Sequence, residues 1–422
     1  MTPARWARWL PLCPALAALA GLVAAAAFSI RAGLADYQMR QETVDATRRA
    51  IALMPDQAEY YARLAWLLAD DNPPLAADAL RRAVALNPWD ARSWIELGLS
   101  AETQGDATTS LHCLLHAAEL DQEFLPRWTL ANYYFRHDNL PLFWFWTKQA
   151  APMAYGDALP LFRLCGKVEE DGNLIDRLQI RDPAVRAQYL SYLLDQNRVD
   201  LIAPAVHRLL EQNREADVPL LLSACERLLD ARRVDQAVEI WKRLAAAGSL
   251  PFPTPAGQGA QLLANGSFAV PPASLGFDWR LPVVEGIGVS REESPLGLRI
   301  TFSGRQPEEC EPLAQLVPVR SKTPYQLKFV FRTQGIPSGA GLRWRIADAI
   351  SGAVLTEGPS LASEPEAPMH LPFETPLQCR LVRLSLRYRR TPGTTRMEGF
   401  LVLRNLALEP LSQLPIEGAR VR

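Results

Sequence analysis

The sequence predicts a multidomain chain, α then β: an N-terminal transmembrane helix, an array of paired helices, and a C-terminal antiparallel β-sandwich. Three observations carry this reading. Residues 9–30 form an uncharged apolar run. A helical pattern then recurs with prolines 33 residues apart, Pro55 and Pro88. Beyond residue 263 the apolar period changes from 3.6 to 2. The 422 residues accommodate two or three domains, and 48% apolar content suffices for their cores. With 45 basic and 46 acidic side chains the net charge is −1, which argues against a nucleic-acid partner.

The apolar run opens the chain. Arg5 and Arg8 precede it, Arg31 follows it, and Trp6 and Trp9 stand at its start, where amphipathic rings favour the membrane interface. Twenty-two helical residues from Trp9 to Ile30 reach about 33 Å, enough for a hydrocarbon core of about 30 Å. Residues 1–35 are therefore expected to be a single-pass anchor. The rival is a cleaved signal peptide, since Val23–Ala27 offers an Ala-x-Ala pattern. In either case the bulk of the chain is expected on the extracytoplasmic, periplasmic side.

Residues 36–248 read as the helical array. The pattern Ala-x-Arg-Arg-Ala-x-Ala-Leu-x-Pro occurs in both 46–55 and 79–88, and a third unit ends at Asp121. Between these lie Tyr61-x-x-Leu64-Ala65 and Trp94-x-x-Leu97-Gly98. With Leu114 and Ala117 in one unit, and Leu80, Ala83 and Pro88 in the unit before it, this resembles the tetratricopeptide repeat (TPR) family. The resemblance implies a superhelix of helical hairpins whose groove binds a protein segment, with Tyr61, Trp94 and Trp128 near it. The same logic follows from packing alone: a unit with one apolar face must stack on a neighbour, and Ala65 and Gly98 let helices approach closely. The pattern blurs over 155–215, then returns around Leu221–Leu244, so five or six hairpins are expected. Phe143-Trp-Phe-Trp146 puts four large rings in a row, which one helix cannot bury on a single face; Trp144 and Trp146 join the candidate partner contacts.

Residues 249–263, rich in proline and glycine, read as a linker. Residues 264–410 then alternate: Leu298–Phe302, Tyr325–Phe331, Leu342–Ile346, Val382–Tyr388 and a closing strand after Gly399. With Asn265-Gly-Ser-Phe268 and Phe277-Asp-Trp279 before the regular strands, this segment resembles carbohydrate-binding-module and galactose-binding-like jelly rolls. The resemblance implies a two-sheet sandwich and a glycan ligand. Residues 411–422 form a tail.

Candidate glycan contacts follow from alternation. Lys328 and Arg332 share a face of one strand, Arg343 and Arg345 of another, and Arg383, Arg387 and Arg389 of a third. Placed side by side they would make a basic ribbon for an anionic chain; the ordinary alternative is a solvated face, since residues 278–409 hold 17 basic against 14 acidic groups. Trp344 and Tyr388 alternate with the arginines and belong to the core, which leaves Trp279 as the candidate stacking ring. Cys310 and Cys379 are a candidate disulfide if the domain is exported.

Catalytic chemistry finds no support. His112 and His116 are spaced i, i+4, but no third ligand at fixed spacing accompanies them. Glu169–Asp171 and Glu308–Glu311 read as solvated turns rather than the paired carboxyls of a glycosidase. No P-loop, nucleophile elbow or dinucleotide fingerprint appears, so no cofactor and no metal are expected. The expectation is a non-enzymatic, membrane-anchored scaffold in a cell envelope, suited to assembly or export of a surface polysaccharide. Its alternative is a carbohydrate-binding protein in which the repeats are a spacer.

Overall fold

A computed structural model describes residues 12–168, 174–211, 214–250, 262–362 and 365–411. Arg5, Trp6, Arg8 and Trp9, the Glu169–Asp171 cluster, most of the 249–263 linker and all but Leu411 of the tail lie outside the described residues. The chain divides into two compact units, residues 1–180 and 181–422. The second unit therefore takes in the last helices together with the sheets.

The first unit begins with α1 (Leu12–Met39) and α2 (Val44–Leu53). The stretch Leu16–Met39 is long and apolar enough to cross a membrane, and the described chain covers none of its most apolar window. The last turns of α1 behave differently. Ala35 is buried with Ala50 and Tyr60, the Tyr60 hydroxyl donates to Asp36 at 3.0 Å, and Arg31 donates to the Leu53 carbonyl at 2.5 Å. The apolar helix thus runs without a break into the helical array and supplies half of its first hairpin.

Next come α3 (Ala58–Leu68) with α4 (Pro73–Leu86), α5 (Ala91–Thr103) with α6 (Ala107–Leu120), and α7 (Phe124–Arg136) with α8 (Leu140–Ala150). Short connections make each pair antiparallel. Their starts are set by side-chain caps: Asn72, Asp106 and Asn139 each accept from the backbone three residues on, and Asp90 from Arg92. The small residues act as the repeat pattern requires. A Cβ on Gly98 would sit 2.8 Å from Leu114 Cδ2, so α5 and α6 are in contact at closest approach. The shorter α9 (Leu159–Val168) and α10 (Leu174–Arg177) close this unit.

The second unit opens with two more hairpins, α11 (Pro183–Asp195) with α12 (Val199–Leu210), and α13 (Val218–Asp230) with α14 (Val234–Ala246). The strands follow: β1 (Ile287–Glu293), β2 (Leu296–Ser303), β3 (Glu309–Pro318), β4 (Pro324–Gln334), β5 (Leu342–Asp348), β6 (Val354–Glu357), β7 (Ala367–Glu374), β8 (Leu381–Arg389) and β9 (Glu398–Pro410). They form two antiparallel sheets ordered β1-β2-β9-β4-β7 and β3-β8-β5-β6. Inward residues of both sheets, among them Phe302, Leu327, Trp344, Leu384, Tyr388 and Leu401, make one core.

Two expectations about the ends of β3 and β8 are corrected. Glu309 and Glu311 begin β3 rather than a solvated turn, with Glu309 registered on Arg389 of β8. Cys310 and Cys379 are free thiols, not a disulfide. Cys310 pairs in register with Tyr388 at one end of β8, whereas Cys379 precedes Leu381 at the other. Seven residues of strand, about 23 Å, separate those ends.

One loop joins the hairpin α13/α14 to the sandwich. The Phe277 ring meets Trp241 of α14 edge-on, with centroids 5.5 Å apart. Arg280 donates to both carboxylate oxygens of Glu226 on α13, at 2.9 and 2.7 Å. The Arg280 backbone bridges to Ala314 of β3. Gly276 lies under Trp241 with φ +60°, and a Cβ there would come within 2.5 Å of the indole.

Gly276→Ala should therefore lower stability by about 3 kcal/mol through overpacking and left-handed strain, read by denaturant unfolding. A second expectation concerns the thiols. Burial pushes Cys165 up to about 12 and Cys310 and Cys379 to about 11, and raises Cys225 as well. The folded state then holds these protons more tightly than the unfolded chain, whose thiols titrate near pH 9. Stability should be insensitive to this term below about pH 8 and fall as pH rises from about 9 toward 11. Thermal midpoints across that range check the sign, and slow alkylation of the folded protein at neutral pH checks the cause.

Candidate functional site

The first helices of successive hairpins line a groove in the first unit. α3 has two faces set by its 3.6-residue period. Ala65 and Leu68 pack toward α4, while Ala58, Glu59, Ala62, Arg63 and Trp66 face outward. The corresponding residues of α5 are Arg92, Ser93 and Glu96, and Met39, Arg40 and Glu42 close one end. The concavity between them has a volume of about 740 Å³.

Its chemistry is mixed. Trp66 is 60% exposed and is the large apolar surface of the groove. The Arg63 guanidinium stacks over that ring at 4.6 Å and donates to Glu42 at 2.7 Å, a contact that favours this orientation of the indole. Arg92 reaches Glu96 one turn on at 3.4 Å. Asp90 caps α5 and accepts from the Ser93 hydroxyl at 2.5 Å. A rigid aromatic face flanked by both signs of charge suits a polypeptide segment, which offers apolar side chains and polar backbone together.

The sequence candidates fall differently. Tyr61 and Trp94 are outside this groove. Tyr61 stands on the α4-facing side under Arg82, at 6.0 Å. Trp94 packs edge-on against His116 at 4.8 Å and donates to the Pro88 carbonyl. They fill the seam between paired helices, which is where their spacing from Ala65 and Gly98 puts them. Trp128 stacks on Phe124 at 6.0 Å. In the aromatic run Phe143 is fully buried, Trp144 lies beneath Arg177 at 3.6 Å, Phe145 is exposed and Trp146 bonds Tyr134. No repeated motif marks Trp66 in the sequence. Its position five residues beyond Tyr61, off the packing face, was the available signal.

In the second unit Trp279 is the clearest correction. It is fully buried between Phe268 and Trp344, and its indole N–H donates to the Asn265 carbonyl at 3.1 Å. No face remains for a sugar. Asp278 beside it is buried and accepts from the Ala273 and Trp279 amides; desolvation raises its pKa against those bonds. The expected single basic ribbon is also divided. Lys328 and Arg332 lie on β4 of the five-stranded sheet, Lys328 bonded to Glu409 at 2.6 Å. Arg343, Arg345 and Arg387 lie on β5 and β8 of the other sheet. His112 and His116 stack at 6.4 Å, and among the described residues no group of three or more His, Cys, Asp or Glu is placed to hold a metal ion.

No family model matches the chain, and no curated protein matches it. Solved structures do. The chain is similar to a crystal structure of MamA, at 21% identity over 25% of this chain and 64% of that one, with a TM-score of 0.24. A structure of a CBM4 module matches at 12% identity over 35% of this chain and 98% of its own, with a TM-score of 0.28. PilF of Pseudomonas aeruginosa matches at 16% identity over 52% and 91%, with a TM-score of 0.27.

Removing each tryptophan separates groove from seam. Trp66→Ala should change unfolding free energy by less than about 1 kcal/mol, because its ring is mostly in water. Trp94→Ala should cost about 3 kcal/mol, because it empties an interhelical contact. Equal losses in denaturant unfolding would contradict the assignment.

Proposed function

We propose that this chain is a non-enzymatic scaffold, held to a membrane by its N-terminal helix, whose first-unit groove receives a segment of another protein. The observation that carries the reading is the concavity of about 740 Å³ with Trp66 fixed under Arg63 on its wall. A tryptophan exposed on the wall of a concavity, rather than on an open surface, has the placement of a common interface anchor. Arg63 with Glu42, Arg92 with Glu96, and the cap Asp90 are tied into ion pairs and a helix start, an arrangement suited to recognition more than to proton transfer. Because α1 runs straight into the first hairpin, a membrane tether would hold the groove's closed end, at Met39–Glu42, within a few helical turns of the bilayer. The setting we favour is a cell envelope, with most of the chain outside the cytoplasm and serving assembly or export of surface material.

Site-specific photo-crosslinking in cells tests the reading. A crosslinker at Ala62 in the groove should trap a discrete protein adduct, and Trp66→Ala should abolish it. A crosslinker at Arg82, on the far helix of the same hairpin, should not trap that adduct. Identical adducts from both positions, or adducts indifferent to Trp66→Ala, would remove the groove from consideration.

A further inference from the structure

A second concavity, of about 580 Å³, lies on the outer face of the four-stranded sheet in residues 181–422. Its floor is set by register. Arg343 of β5 stands directly opposite Arg387 of β8, and Arg345 is next on the same face. Like charges in directly opposed positions repel, so this pairing is maintained against a local cost. Arg389 and Arg390 follow at the end of β8, bringing the guanidinium groups to five. Three carboxylates share the site: Glu308, Glu309 and Glu357.

The pairing is uneven. Arg387 donates to Glu309 at 2.5 Å and Arg390 to Glu308 at 2.9 Å. The other three are held loosely. Arg343 and Arg345 approach the single Glu357 carboxylate only to 3.7 and 3.8 Å, and Arg389 approaches Glu309 to 3.9 Å. Those separations exceed a hydrogen bond. Donors with geometry for planar oxyanions are thus in surplus, in a concavity with no aromatic ring on its walls.

We propose that this concavity binds an acidic polysaccharide through the carboxylates of its sugar acids. The loosely held guanidinium groups of Arg343, Arg345 and Arg389 take the carboxylates. Glu309 and Glu357 accept sugar hydroxyls. That second role decides the ligand class. A bare phosphate or an acidic peptide brings anions but few of the hydroxyl donors that Glu309 and Glu357 can pair with. A membrane surface is planar, whereas this site is concave and Pro392 is its one apolar side chain. Since Trp279 is buried, recognition here relies on charge and hydroxyl pairing rather than ring stacking. The proposal stands independently of the groove in the first unit.

The test titrates the full chain in detergent with oligogalacturonate, at low and high salt, by calorimetry. Neutral dextran oligomer, inorganic phosphate and a poly-glutamate peptide serve as comparison probes. We expect oligogalacturonate to bind, more weakly at high salt, and the comparison probes to bind at least about tenfold more weakly. The double variant Arg343→Gln, Arg389→Gln removes two loosely paired, solvent-facing groups and should lower affinity about tenfold or more with an unchanged thermal midpoint. Lys328→Gln on the opposite sheet should bind as wild type. Failure of wild type to bind oligogalacturonate at low salt would overturn the proposal without touching the groove reading. So would equal binding of phosphate or poly-glutamate, or an unchanged affinity in the double variant.

Discussion

The second unit depends on one junction, the contact of Trp241 with the 276–280 loop. A helical hairpin and a β-sandwich have no shared periodicity through which to interlock, so a few specific side chains must join them. Here Gly276 leaves room for the indole, Phe277 meets its edge, and Arg280 grips Glu226 through two hydrogen bonds. The same loop enters the sandwich through the Arg280–Ala314 bridge, and Trp279 fixes it to the core. The ion pair is mostly buried, so losing either partner would strand a desolvated charge. That makes the junction specific as well as strong, and it explains why the last helices form one compact unit with the sheets.

The first unit rests on a different constraint, the repetition of a large residue against a small one. Each hairpin hides its seam: Leu114 against Gly98, and Leu80 within the cluster that holds Ala65. What remains outside the seam is then free to vary, and the groove is made of it. Arg136 of α7 reaches Glu102 of α5 through two bonds at 2.9 and 2.7 Å, so neighbouring first helices are also tied directly to each other. A rigid surface lowers the ordering cost of receiving a partner.

On the sandwich the decisive feature is the division of charge between sheets. Alternation guarantees that every outward residue of a strand shares a face with its second neighbours, but not which strands are adjacent. Separating β4 from β5 and β8 splits the basic residues into two sets with different partners. Lys328 is neutralised by Glu409 on the adjacent strand, whereas Arg343, Arg345 and Arg389 keep only distant carboxylates.

The fold class is legible in the sequence: the apolar helix, the hairpin repeats and the alternating strands each follow from local periodicity, which the backbone reads directly. The core roles of Trp344 and Tyr388 are legible there for the same reason. The sequence did not reveal β7, because Pro368 and Pro372 are tolerated there only by virtue of its place at a sheet edge. Nor did it reveal Trp66, whose exposure depends on what its neighbours cover. Tertiary structure alone decided that Trp279 is core, that Cys310 and Cys379 lie at opposite ends of a strand pair, and that Arg343 faces Arg387. Each of these is a relation between residues distant in sequence. Strand order and register create such relations, and no local pattern encodes them.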